Sequence, residues 1–141
     1  MQPKALNIFL LFVMGFFCQP VSCDETASME PVEPPRLSVD EVYLAGDRYH
    51  GLLVQVKGRL TIGIENDKLH GDEYSLWLDF FQKPYTEESV KFDYTKLMEY
   101  KAKFGGQPVV VTGYYDQGIT GHFGMSDGGM RDIINIELHI E

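Results

Sequence analysis

The chain has 141 residues, with 21 acidic side chains against 12 basic ones and a formal net charge of −9. That balance argues against general affinity for nucleic-acid phosphates, which rests on lysine and arginine displacing counterions, and it suits solubility and a cationic partner. The length leaves room for one small core and no more.

Residues 8–17 (IFLLFVMGFF) are almost wholly apolar, and Lys4 is the one charged side chain before Asp24. This pattern predicts a signal peptide over residues 1–23. Ten residues are too few to span roughly 30 Å of hydrocarbon as a helix, so a permanent anchor is the weaker reading. Export is therefore expected, by one of two cleavage routes. Cutting after Cys23 gives a secreted chain. Cutting before it leaves an amino-terminal cysteine, and Val21-Ser22-Cys23 resembles the end of a bacterial lipobox, with Pro20 where that pattern usually has leucine. Acylation of Cys23 would then tether the chain, at about 0.8 kcal/mol per buried CH₂. The expected location is the periplasm or, lipid-anchored, the cell envelope; secretion is the alternative. Cys18 leaves with the apolar core, so neither route leaves a cysteine pair. Once Lys4 is removed, 21 acidic residues face 11 basic ones, a formal charge of −10.

Residues 24–36 (DETASMEPVEPPR) carry four acidic side chains and three prolines with little to bury, and read as an extended linker. The domain is expected over residues 37–141. It opens with Ser38-Val39-Asp40-Glu41, the spacing of a capping box. Val39, Val42 and Tyr43 then share one face of a short helix that Gly46 closes.

Residues 52–62 alternate Leu52, Val54, Val56, Leu60 and Ile62 with polar or outward positions, the pattern of a strand with one buried face. Gly58 falls on the apolar side, where it permits a bend or a close approach of backbone. Residues 66–70 give a weak second strand. Residues 73–81 (EYSLWLDFF) give a third, with Tyr74, Leu76, Leu78 and Phe80 on one face and Trp77 and Phe81 on the other. Over residues 86–104 the pattern turns helical: Thr86 can cap, Glu87 and Glu88 favour the positive end, and Val90, Tyr94, Leu97 and Met98 recur at helical spacing. Gly105-Gly106 stops that helix. A fourth strand turns Val109, Val111, Gly113 and Tyr115 inward, and a last one Ile134, Ile136, Leu138 and Ile140.

Residues 49–60 (YHGLLVQVKGRL) and 104–115 (FGGQPVVVTGYY) echo one another: an aromatic, a glycine two places later, then V-x-V-x-G. Two bent strands, each entered from a helix, face equal geometric demands, and this explains the likeness without a duplication. The element order predicts a mainly β fold with helices: a five-stranded OB-like barrel, a helix between strands 3 and 4, and a short amino-terminal helix. Four segments carry a further resemblance: residues 38–60 with YHG-x-x-V-x-V-x-G, Ser75-Leu76-Trp77-Leu78, Gly113-Tyr114-Tyr115-Asp116, and residues 121–133. Together they resemble a group of bacterial exported OB-like domains of uncharacterised function. The resemblance implies the fold and export, and brings no catalytic residues with it.

Residues 118–132 (GITGHFGMSDGGMRD) would join the last two strands, at a rim by which OB barrels hold ligands. His122, Phe123 and Arg131 there offer stacking and cationic contacts. The competing reading, in which Phe123 and Met125 fold back to cap the barrel, is favoured, because apolar loop groups commonly serve packing. Trp77, Phe81 and Tyr114 offer an aromatic platform outside the sheet. Cover by the amino-terminal helix, through Val39, Val42 and Tyr43, is the favoured alternative. The candidate ligand-binding residues are thus Trp77, Phe81, Tyr114, His122, Phe123 and Arg131.

The acidic loop 65–73 matches no calcium spacing, and His50, His122 and His139 form no zinc pattern, so no metal or cofactor is expected. There is no nucleophile elbow, phosphate loop or dinucleotide fingerprint. Asp79, Asp116, Asp127 and Asp132 are the carboxylates a hydrolase would draw on. The leading expectation is a non-enzymatic binding or interaction module of the bacterial cell envelope that holds a protein, peptide or small ligand. An envelope hydrolase and a selective oligonucleotide binder are the alternatives, and membrane contact is expected only through a lipid on Cys23.

Overall fold

The computed structural model describes residues 31–81 and 87–141, the side chains at 88, 89, 91 and 92 excepted. The expected signal peptide over 1–23, Cys23 with its lipidation, most of the 24–36 linker and the Thr86 cap lie outside the described residues.

The elements run β1 (Arg36–Ser38), α1 (Val39–Leu44), α2 (Gly46–Tyr49), β2 (Leu53–Thr61), β3 (Lys68–His70), β4 (Ser75–Leu78), α3 (Glu87–Phe104), β5 (Pro108–Asp116) and β6 (Gly129–Leu138). A single 3₁₀ turn, His122–Gly124, lies between β5 and β6. All six strands belong to one sheet within the compact unit Val32–Glu141, and the fold is mainly β. Among the described residues no helix is long and apolar enough to cross a membrane.

The capping box forms with both halves present. The Ser38 hydroxyl accepts from the Glu41 amide at 3.2 Å, and the Glu41 carboxylate accepts from the Ser38 amide at 2.6 Å. The Ser38 amide, and next the Ser38 hydroxyl, hold the Glu41 carboxyl below its ordinary range. The helix they start buries Val39 and Val42 and lays Tyr43 against Tyr74, ring centres 4.2 Å apart.

β2 pairs antiparallel with both β3 and β5, β3 with β4, and β5 with β6, while β4 and β6 run parallel. In the β2–β5 register Val54 lies opposite Gly113 and Val56 opposite Val111, so the two alternating apolar faces coincide. Val54, Val56, Leu60, Leu69, Leu76, Leu78, Val109, Val111, Tyr115 and Met130 are buried in one core. Each aliphatic member contributes about 1.5–3 kcal/mol by leaving water. Gly58 is the close approach its position suggested: a Cβ there would stand 2.7 Å from the His70 carbonyl and 2.8 Å from Leu69.

Several expectations change. There are six strands where five were expected, because Arg36–Ser38 pairs parallel with β2 through Gln55, Val56 and Lys57. Gly46 does not end the first helix; Ala45 caps it and Gly46 begins α2. Of the expected stripe on α3, Leu97 is buried while Val90, Tyr94 and Met98 are exposed, and the inward face is completed by Asp93 and Phe104, with Tyr100 against the core.

The last strand departs most. It begins at Gly129 and buries Met130, Ile133 and Ile136, leaving Ile134, Leu138 and Ile140 exposed. Tyr114 pairs with Arg131 and Thr112 with Asn135, so β6 carries two extra residues opposite Gly113. Asp132, at φ 49, lies inside that bulge and resets the alternation.

Candidate functional site

Trp77 stands on the outer face of β4, directly across from Lys68 of β3. The segment joining β5 to β6 folds over this pair and is tied down along its length. The Lys68 ammonium donates to the Met125 carbonyl at 2.8 Å. Asp127 accepts from the Ser75 amide through Oδ2 at 3.0 Å and returns its own amide to the Ser75 carbonyl. The Trp77 amide donates to the Gly128 carbonyl at 2.8 Å. Gly121, at φ 69, packs so closely on the indole that a Cβ would overlap the ring. Only glycine combines that backbone angle with that approach.

This anchoring sets His122 edge-on to Trp77, ring centres 6.2 Å apart, and brings its Nε2 within 3.9 Å of Glu65 Oε1 on the β2–β3 connection. Phe123 follows at φ 56 and is 90% exposed. A left-handed bulky residue costs about 1–2 kcal/mol, and none of it is offset here by burial. Glu65, on the facing loop, is also left-handed at φ 54.

Between these two loops lies a cleft of about 370 Å³ lined by Glu65, Asp67, Trp77, Leu78, Asp79, Phe81, Val90 and His122. A neighbouring cavity of about 460 Å³ shares Glu65, Asp67 and Phe81 and continues along Ile62, Ile64, Tyr94, Met98 and Lys101. Asp67 is the electrostatic centre of the pair. Its side chain is buried, with Oδ1 accepting from the Gly63 amide at 3.2 Å. Burial pushes its carboxyl above the ordinary aspartate range, against the lowering pull of that amide and of Lys101. Asp79 presents Oδ1 to the Phe81 amide at 3.2 Å, which fixes the turn placing Phe81 in the wall.

The six residues proposed from sequence therefore fall into two groups. Trp77, Phe81 and His122 share the cleft, and Phe123 stands at its edge with its ring 5.6 Å from His122. Tyr114 and Arg131 form a separate pair on β5 and β6, the guanidinium 5.5 Å from the Tyr114 ring centre. Arg131 is further held by Asp132 at 2.6 Å and Asp116 at 3.4 Å. No single platform joins Trp77, Phe81 and Tyr114. The favoured packing readings also fail: Phe123 and Met125 are exposed and do not cap the core, and α1 covers Tyr74 while Trp77 is covered by the β5–β6 segment.

The carboxylates weighed for hydrolysis do backbone and ion-pair work. Asp116 accepts from Gly118 and pairs with Arg131, Asp127 holds Ser75, and Asp132 holds Arg131. Among the described residues no group of three or more His, Cys, Asp or Glu side chains is placed to hold a metal ion. Asp67 was not singled out from sequence. It lies in the acidic loop 65–73 among Glu65, Asn66 and Lys68, where nothing local marks it for burial.

No family model matches the chain, no curated protein matches it, and no solved structure matches it.

Proposed function

We propose that this chain is an exported, OB-like binding module of the bacterial cell envelope whose ligand site is the cleft around Trp77. The barrel reading is supported by the pairings themselves. β2, β3, β4, β6 and β5 follow one another as neighbours and β5 pairs again with β2, and in the chain α3 lies between β4 and β5. The parallel β4–β6 contact is the one such an order requires. In OB barrels ligands are held by the face of the second and third strands and by the loops joining strands one to two and four to five. Here those loops carry Glu65 with Asp67 and His122 with Phe123, and Trp77 lies between them.

The observation that carries the reading is this convergence: an exposed, left-handed Phe123 and a buried, pKa-raised Asp67 meet at one aromatic cleft. The hydrolase alternative wants two carboxylates pushed up together in one cleft; Asp67 is pushed up by its own burial, which needs no second carboxylate beside it. The oligonucleotide alternative wants a basic groove. Lys57 and Arg59 instead stand beside Asp40, Asp72 and Glu141, while Arg131 is held by Asp116 and Asp132.

Export is tested by the intact mass of the protein from its native envelope: a chain beginning at Asp24, or at an acylated Cys23, supports the reading, and an uncleaved Met1 overturns it. The site is tested by ¹H–¹⁵N spectra of the mature chain titrated with fractionated envelope extract. Shifts confined to the Trp77 indole and the amides of residues 64–67 and 120–124 support it. Shifts centred on Tyr114 and Arg131 place the site elsewhere.

A further inference from the structure

Resting on the reading of the Trp77 cleft as the ligand site, we propose that it takes an organic cation: an alkylammonium or guanidinium group, as on a free amine or a lysine or arginine side chain. The walls divide into two kinds that only such a group satisfies together. Trp77, Phe81 and His122 offer ring faces and edges, and Glu65 and Asp67 offer carboxylate oxygen. A cation over an aromatic face is attracted by the ring quadrupole, most strongly by indole, and carboxylates supply its hydrogen-bond acceptors.

Asp67 separates this site from a merely acidic surface. It is 7% exposed, yet its second oxygen accepts no hydrogen bond among the described residues, and desolvation pushes its carboxyl up. That oxygen is not sealed from solvent, so an entering N–H donor takes the place of water on a carboxylate whose surroundings are otherwise desolvated. Among the described residues no ammonium forms a hydrogen bond or ion pair with Asp67, although Lys101 acts on it through space. Lys68 spends its ammonium on the Met125 carbonyl, and Lys101 lies along the neighbouring cavity. At about 370 Å³ the cleft suits a small aliphatic amine or the end of one long side chain.

Trp77 is the chain's single tryptophan, so its emission reports the cleft directly. The mature protein is titrated with Nα-acetyl-lysine amide, tetralysine, the neutral Nα,Nε-diacetyl-lysine amide and maltose, at low and moderate salt. The expected result is a saturable change with the two amines and none with the acetylated one. Glu65→Gln weakens binding roughly threefold and Asp67→Asn about tenfold, as loss of an exposed and of a buried charged partner should. Glu141→Gln, the same charge change outside the cleft, leaves it unaltered. A stronger response to tetralysine than to the monomer assigns the amine to a basic peptide, and the reverse assigns it to a free small molecule. Equal responses to the charged and acetylated lysines, or equal effects of Glu65→Gln and Glu141→Gln, overturn the proposal. A response to maltose alone overturns the cation while leaving the cleft as a binding site.

Discussion

Gly121 packs against the indole of Trp77, with a left-handed backbone and no space for a side chain. The contact holds the β5–β6 segment on the outer face of β4 and fixes His122 at the mouth of the cleft. Gly121→Ala should therefore lower stability by about 2 kcal/mol and shift Trp77 emission. Gly51→Ala has a similar positive φ but nothing within 4 Å, so it should cost the backbone share alone and leave the emission unchanged. Urea unfolding followed by fluorescence measures both.

Asp67→Asn should stabilise the protein at neutral pH. The folded-state carboxyl is pushed up by burial, so the folded protein binds its proton more tightly than the unfolded chain does. The charged form is then a net cost above the folded pKa, and wild type recovers that cost as pH falls through the folded and then the unfolded value. The variant's advantage in thermal midpoint should be largest at pH 7 and vanish in acid. A destabilised Asp67→Asn at pH 7 would contradict the desolvation account. A residue that weakens the fold yet lines a cleft is what a stability–function trade-off looks like.

Asp40 behaves oppositely. Its carboxylate, at the start of α1, accepts from the amides of Asp72, Glu73 and Tyr74 at 2.9–3.2 Å, tying α1 to the β3–β4 turn. Desolvation alone would raise its pKa, but the three amides lower it on balance. Asp40→Ala should cost about 1 kcal/mol, since the site is solvent-accessible and the bonds are screened. With a lowered folded pKa, the contribution is present above the unfolded value and is lost as pH falls through the folded one. Wild type and variant should converge in strong acid, which pH-dependent denaturation measures.

Tyr115 is wholly buried, and its hydroxyl has no hydrogen-bond partner among the described residues. Burial raises its pKa, with Tyr43, Asp116 and Asp47 adding to the effect. Removing an unsatisfied buried hydroxyl while keeping the ring should not destabilise. Tyr115→Phe is expected to match or exceed wild type by up to about 1 kcal/mol in chemical denaturation.

Much of the fold was legible because it is locally written. Ser38 and Glu41 announce their capping box three residues apart, and the V-x-V-x-G runs announce β2 and β5 by period alone. β1 was not legible, since three residues after a proline pair carry no period and owe their strand to Gln55, Val56 and Lys57. The inward set of β6 was misread because alternation presumes an unbroken pleat, and the bulge at Asp132 shifts it from Ile134 to Ile133.

The site was half legible. Trp77 and His122 were marked by type, as an outward aromatic and a residue in a glycine-rich loop. Their meeting depends on the parallel β4–β6 pairing, which no spacing in the chain encodes. Asp67 was hidden because a loop aspartate is usually solvated, and its burial comes from packing between distant segments.

That pairing is the claim on which the cleft depends, and it can be observed through its hydrogen bonds. The Trp77 amide donates to the Gly128 carbonyl and the Asp79 amide to the Met130 carbonyl, each at 2.8 Å. Scalar couplings across these two bonds, measured by NMR on the protein, should both appear, with slow exchange of both amides. Absence of both couplings, with a Trp77 amide exchanging as fast as an unprotected one, would contradict the account.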